Sequence, residues 1–172
     1  MDDVEPHQSA ARVVSSYQTE KSPGLARRRE AATELPDSLD NLSGGADEYA
    51  AAGVEPLAPA AIVAFCRVGV KNSIFRNLRQ GKYAPAASLD LHHNTVAQAR
   101  SLVFEFVQDC IEQKIRCAVI THGKGEGRAQ PARLKSCVAH WLPQLDDVLA
   151  CHSAAPQYGG AGATYILLKR HP

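Results

Sequence analysis

The chain has 172 residues, 45% of them hydrophobic, and a formal net charge of +1, enough for one domain with its own core plus an extension. Five cysteines, an odd number without C-x-x-C spacing, argue against a secreted disulfide framework, and the longest apolar run, Leu57 to Cys66, is broken by Pro59 and too short to span a bilayer. The small total hides a segregation: eleven acids and five bases in residues 1–58, then five bases (Arg67, Lys71, Arg76, Arg79, Lys82) and no acid in residues 59–88.

Residues 1–56, rich in Ala, Ser, Gly, Pro and acids, read as a disordered acidic tail, because they offer too little apolar surface to offset the entropy of ordering. Arg27-Arg28-Arg29 is a small basic run within it. Met1 is followed by Asp2, Asp3 and Glu5, the wrong charge for a targeting segment. Residues 57–86 read as an ordered basic arm, with an apolar piece followed by Phe75-Arg76-Asn77-Leu78-Arg79. Its charge suits a polyanion-binding protein and equally a solvated linker. Pro85 marks entry to the main domain, residues 87–172. Cys66, Cys110, Cys117, Cys137 and Cys151 read as reduced core thiols of a cytoplasmic protein.

The main domain alternates. Ala87 to His92 is predicted as a strand, with Leu89 and Leu91 alternating with Asp90 and His92. Thr95 then opens a helix, with Gln98 placed to complete a capping box. Val96, Ala99, Val103, Phe106, Val107 and Cys110 form its apolar stripe as far as about Lys114. Cys117 to Ile120 is a continuous apolar run, as in a strand covered on both faces. A Gly-rich loop from His122 to Pro131 precedes a second helix with Leu134, Cys137, Val138, Trp141 and Leu142 on one face, ended by Pro143. Val148 to Cys151 and Thr164 to Lys169 complete the set. The order βαβαββ predicts an α/β two-layer sandwich: a mixed sheet with helices packed on it, whose crossovers favour parallel pairing of successive strands, the last one excepted.

Chemistry concentrates at two strand ends. Asp90 and His92 project on one side, beside a helix start, where α/β folds bind ligands. In the loop His122-Gly123-Lys124-Gly125-Glu126-Gly127-Arg128 the glycines free the backbone to turn its amides towards an anion, and Lys124 and Arg128 add charge. A phosphate cradle and a plain flexible turn fit it equally well. It is not a nucleotide-binding P-loop, since the Gly-Lys-Ser/Thr ending is missing. If the two strands are parallel neighbours, Asp90, His92 and His122 share one site. General acid/base work on a phosphodiester is the favoured reading. A metal site is the other, but carboxylates are few and the cysteines lack zinc spacing, so no metal ligands are assigned.

Leu89-Asp90-Leu91-His92, His122-Gly123-Lys124-Gly125 and Gly159-Gly160-Ala161-Gly162-Ala163-Thr164 resemble, in order and spacing, the Smr (small MutS-related) domain. The resemblance covers roughly 87–170, includes the Leu134-Lys135 pair, and is to the stand-alone bacterial type rather than the form fused to a MutS-like ATPase. It implies a compact α/β sandwich and nucleic-acid endonuclease activity, either DNA nicking or cleavage of messenger RNA on stalled ribosomes. Asp90 and His92 are then catalytic, with His122. Gly123, Lys124, Gly125, Arg128, Gly159 and Gly160 hold nucleic acid or phosphate together with Arg76, Arg79 and Lys82 of the arm. Where the family usually has Gly after the first motif, this chain has His93. The RNA mechanism needs no cofactor: one of His92 and His122 takes the 2′-hydroxyl proton, and the other protonates the leaving oxygen. DNA would call for an activated water and a divalent metal. The expected partner is nucleic acid, with the ribosome as a further candidate and no membrane; oligomeric state is left open. The competing class is a non-catalytic binding module for structured nucleic acid or a ribosome, and a small-molecule phosphatase or nucleotide-binding domain is a third.

Overall fold

A computed structural model describes residues 51–127 and 131–172; the acidic tail up to residue 50, with Arg27-Arg28-Arg29, and Arg128 lie outside them. Among the described residues eight α-helices and β-strands follow one another: β1 (Ala64–Cys66), α1 (Asn72–Arg79), β2 (Ala87–Asp90), α2 (Val96–Glu112), β3 (Cys117–Thr121), α3 (Arg133–Trp141), β4 (Val148–Ser153) and β5 (Ala163–Leu168). From β2 onward the order is the expected βαβαββ, in one five-stranded sheet ordered β1-β4-β5-β3-β2. The first crossover gives the parallel pair β2–β3. The second does not give adjacent strands, because β5 returns antiparallel and inserts between β3 and β4. All six residues of β5 are buried as a result.

The helices form as their sequences direct. Thr95 caps α2: its Oγ1 accepts the Gln98 amide at 3.2 Å, and Gln98 Oε1 accepts the Thr95 amide at 3.0 Å. The six stripe positions of α2 are its buried residues. The helix closes at Lys114, which takes the left-handed conformation (φ 57°), while the Ile115 amide donates to the Cys110 carbonyl at 2.8 Å. α2 and α3 pack on one sheet face through Leu91, Ala118, Ile120, Cys151, Ile166 and Leu168. Cys117, Val119, Tyr165 and Leu167 point the other way, and α1 covers them with Leu78, Ile74 and Phe75. That cover explains the unbroken apolar run of β3.

The arm contributes β1, which pairs antiparallel with β4 at the sheet edge, and α1 on the second face. Ala51, Val54 and Leu57 pack against the main core. Four of the five cysteines are free and buried, and burial pushes the Cys117 and Cys151 thiols up to about 12. Cys66 departs from the core reading: it sits exposed on the edge strand. Among the described residues no helix is long and apolar enough to cross a membrane.

Candidate functional site

Parallel pairing sets the site. Asp90 is in register with Thr121, and the Leu91 amide donates to the Thr121 carbonyl at 2.8 Å. The chains leaving β2 and β3 therefore run side by side at one end of the sheet, where β5 begins.

Leu91 is fully buried and anchors the exit of β2, while Asp90 and His92 stay largely exposed. β2 ends at Asp90, two residues earlier than the sequence pattern predicts, so His92 is reached through a turn rather than along a strand. The Asp90 carboxylate makes that turn: Oδ1 accepts the His92 backbone amide at 2.9 Å and meets His92 Nδ1 at 2.5 Å. A carboxylate at Nδ1 keeps the proton there and leaves the Nε2 lone pair outward. Nε2 stands over Gly123, where a Cβ would lie only 3.3 Å away. Gly123 also has φ 76°, so both its conformation and its neighbour require glycine. The next residue, His93, is held at φ 62°, which accounts for glycine as the usual residue at this turn.

His122 lies beside this pair and beneath the surface, 5% exposed. Its Nδ1 is 2.8 Å from the Gly123 carbonyl and its Nε2 is 2.9 Å from Thr164 Oγ1. A carbonyl can only accept, so Nδ1 carries the proton and the Thr164 hydroxyl donates to Nε2. Burial holds its pKa down at about 4, with the charges of Lys135 and His92 adding to it against the opposing pull of the Gly123 carbonyl. His122 is thus neutral at neutral pH with both ring nitrogens engaged. The sheet brings the three sequence-predicted residues together, yet only the Asp90–His92 pair opens to solvent.

The loop after β3 is pinned rather than free. The amides of His122 and Gly123 both donate to the Gly162 carbonyl, at 3.0 and 2.9 Å. Gly125 has φ 69° and packs so close to the start of α3 that a Cβ would come within 2.5 Å of the Ala132 nitrogen. Lys124 between them is exposed. Gly159 and Gly160 form the turn ahead of Gly162, whereas Gly162 itself lies against the backbone of Gly123 and Lys124. Gly162 and Thr164 belong to the third sequence motif, two and four residues beyond Gly160, but were given no role at the site from sequence; their contacts with Gly123 and His122 assign one.

Arg76 and Arg79 are on the exposed side of α1, where with Asn72 and Phe75 they line a shallow pocket of about 230 Å³. α1 packs on the second sheet face, chiefly against β4, and carries these arginines there, with the exposed Lys82 following the helix. Arg67, counted in the same basic stripe, is spent on structure: its guanidinium donates to the carbonyls of Val148, Pro143 and Leu145 at 2.9 to 3.1 Å. Among the described residues no three His, Cys, Asp or Glu side chains converge as metal ligands.

A profile of the Smr domain matches residues 89–169. Over 137 residues the chain is 35% identical to the "Probable DNA endonuclease SmrA" of Escherichia coli strain K12, covering 78% of this chain and 72% of that protein. With the "Ribosome rescue factor SmrB" of Tolumonas auensis it shares 37% identity over 109 residues, which spans 63% of this chain but only 60% of the relative. The crystal structure of YdaL, a stand-alone small MutS-related protein from Escherichia coli, superposes with a TM-score of 0.62 at 34% identity, covering 69% of this chain and 91% of that one.

Proposed function

The chain belongs to the Smr domain family, and we propose that it is a nucleic-acid endonuclease whose reacting group is the His92 imidazole. One observation carries this reading: a carboxylate-oriented imidazole, Asp90 Oδ1 to His92 Nδ1 at 2.5 Å, presents Nε2 at an open strand end over a side-chain-free glycine. An oriented base facing solvent suits proton transfer better than a purely structural turn, which the backbone bond to Asp90 alone would hold.

On RNA, His92 Nε2 takes the proton of the 2′-hydroxyl and the 2′ oxygen attacks the adjacent phosphorus. The 5′ oxygen departs with a proton from solvent, leaving a 2′,3′-cyclic phosphate and a 5′-hydroxyl. Asp90 balances the imidazolium that forms, and Lys124 offsets the charge gathering on the phosphorane. His122, buried and doubly bonded, fixes the Gly123–Gly125 corner on which the phosphate rests. Arg76, Arg79 and Lys82 act at a distance as contacts to the polyanion, adding affinity without touching the reacting atoms. DNA lacks the 2′-hydroxyl, and its nicking would need an activated water. The described residues offer the Asp90–His92 pair towards a metal for that purpose and no third ligand. We place the reaction in the cytoplasm, in keeping with five free thiols.

The second reading is a binding module for structured nucleic acid or a ribosome. It is favoured by the relatives named ribosome rescue factors and by the burial of His122, which takes the second site histidine out of reach of a leaving group. Incubating the protein with end-labelled RNA and DNA, with and without EDTA, and mapping the cut ends separates the two. An enzyme of the proposed kind loses on the order of a hundredfold or more in rate in His92→Ala and Asp90→Asn while still binding. Cleavage at the wild-type rate in both variants would remove the pair from the chemistry, and no cleavage of either nucleic acid would favour the binding module.

A further inference from the structure

β1 is a terminal strand of the sheet, and among the described residues no strand pairs with its outer edge. Its pairing with β4 fixes which backbone groups face that edge. The Arg67 amide donates to the Leu149 carbonyl and the Ser153 amide to the Val63 carbonyl, each at 2.8 Å, and Phe65 lies opposite Cys151 in the same register. The odd-numbered residues therefore direct their backbone groups to β4. The N–H and C=O of Ala64 and Cys66 point away from the sheet.

The side chains follow the same alternation. Val63 and Phe65 pack on the core beneath α2 and α3, whereas Ala64 and Cys66 are exposed on the other face. Of the three large hydrophobic side chains exposed among the described residues, two frame this strand: Ile62, 62% exposed, and Val68, fully exposed. Open edges are ordinarily guarded by a lysine, a proline, a bulge or a cover. Residues 60–68 carry no proline and one charge, Arg67, whose guanidinium is turned inward onto three carbonyls. The register shift in β4 lies on its far side, against β5. Only the shortness of β1 guards it.

The pattern is its own complement. Two copies laid antiparallel about Phe65 set Ala64 of one against Cys66 of the other, where the pair exchanges both backbone bonds, and bring Ile62 beside Val68. Large apolar groups meet at the ends of the seam and small ones in the middle, and no like charges oppose each other along it. Opposed residues share a face, so α1 of both copies lies on one side of the joined sheet. The two β4 strands are then three strand spacings apart, about 14 Å. That exceeds the screening length of about 8 Å in physiological salt, so the basic helices over β4 do not bar the approach. The opposite edge of the sheet, β2, ends at Asp90, which leaves both His92 sites outermost.

We infer that β1 is a self-association edge: a second copy of this chain pairs with it antiparallel, joining two five-stranded sheets into one and two α1 surfaces onto one face. A seam this short falls at the low end of interface sizes, below about 1,200 Å² in total, so the pairing is reversible and concentration-dependent. The inference is independent of the endonuclease reading.

Sedimentation of the full chain with reductant in physiological salt, from low to high micromolar concentration, is the test. Wild type should pass from monomer to dimer. Ala64→Pro removes an outward N–H without touching a bond to β4, and Ala64→Lys adds the missing guard charge. Each dimer loses two bonds in Ala64→Pro, so its dissociation constant should rise about tenfold or more. Ala64→Lys should do the same with the melting temperature of dilute protein unchanged, and it decides alone if the proline variant fails to fold. Under oxidised glutathione, Ala64→Cys should give a dimer whose disulfide joins position 64 of one copy to Cys66 of the other, as hydrogen-bonded neighbours about 5.5 Å apart at Cα allow. In hydrogen exchange the Ala64 and Cys66 amides of wild type should be slow in concentrated protein and fast in dilute protein. A monomer at every concentration overturns the inference, as does a dimer that Ala64→Lys leaves intact or one that forms no such disulfide. Amides equally protected on dilution overturn it too, since another segment of the same chain would then occupy the edge.

Discussion

Acid should unfold this domain through His122, and the size of the effect follows from its environment. In the unfolded chain the imidazole protonates below about 6.5, whereas in the native structure burial delays protonation to about 4. Between those values the unfolded state binds the extra proton, so stability is complete above pH 6.5, falls as pH drops, and levels off below about 4. Each pH unit in that window is worth about 1.4 kcal/mol, and the whole window about 3 kcal/mol, a large share of a typical domain's 5–15 kcal/mol. Urea unfolding of the wild type and of His122→Gln at pH 7, 6, 5 and 4 isolates the effect, since subtracting the two curves cancels every other titrating group. The wild type should lose about 3 kcal/mol more than the variant on going from pH 7 to pH 4. In ring-nitrogen NMR the native His122 should stay in its Nδ1–H form at pH 5. Equal pH slopes in the two proteins, or a His122 titration near 6.5, would refute the buried neutral assignment and return His122 to the acid/base chemistry.

Other expectations follow from neighbouring features. Replacing Arg76, Arg79 and Lys82 together should weaken nucleic-acid binding and flatten its salt dependence by up to about 0.7 to 0.9 in log–log slope per lost contact; an unchanged slope assigns these charges to solvent. His93→Gly relieves a left-handed histidine (φ 62°) and should raise stability by about 1 kcal/mol in denaturant unfolding. Because His93 stands 6.3 Å from the His92 ring, cleavage by that variant also reports whether the side chain narrows access to Nε2. Tyr165→Phe should cost less than about 1 kcal/mol or be neutral, because the Tyr165 hydroxyl is buried without a partner of normal geometry; a loss near 2 kcal/mol or more would show that it bonds to the backbone at Ala155.

The elements of residues 87–172 were legible because each has a local cause: the Thr95–Gln98 capping box, the 3.6-residue stripe of α2, and the apolar run of β3. Strand order was not. Whether β5 pairs beside β4 alone or inserts between β3 and β4 depends on which open edge its two apolar faces can fill. Residue pattern alone does not encode that choice, because a strand buried on both faces reads the same at every interior position. The short strand β1 was hidden for a related reason. Three residues at a sheet edge give too few alternations to detect, and the pairing is secured by distant groups such as Ser153 and Arg67.

The site was legible as a set of residues and not as a division of labour among them. Period-two alternation placed Asp90 and His92 together, and parallel strands placed His122 alongside, so proximity followed from local rules. Accessibility did not. His92 and His122 both follow a strand and precede a turn, and what separates them is the third neighbour. His92 leaves the edge strand β2, with solvent on one side. His122 leaves β3, which β5 flanks, and there Thr164 and the Gly162 carbonyl close over it. A partner supplied by a strand 42 residues away turns one histidine into a neutral structural group while the other keeps a free nitrogen. Two chemically identical side chains at equivalent strand ends therefore differ in function through strand order, the feature least visible in sequence. The assignment of His92 rather than His122 to the reaction rests on that difference.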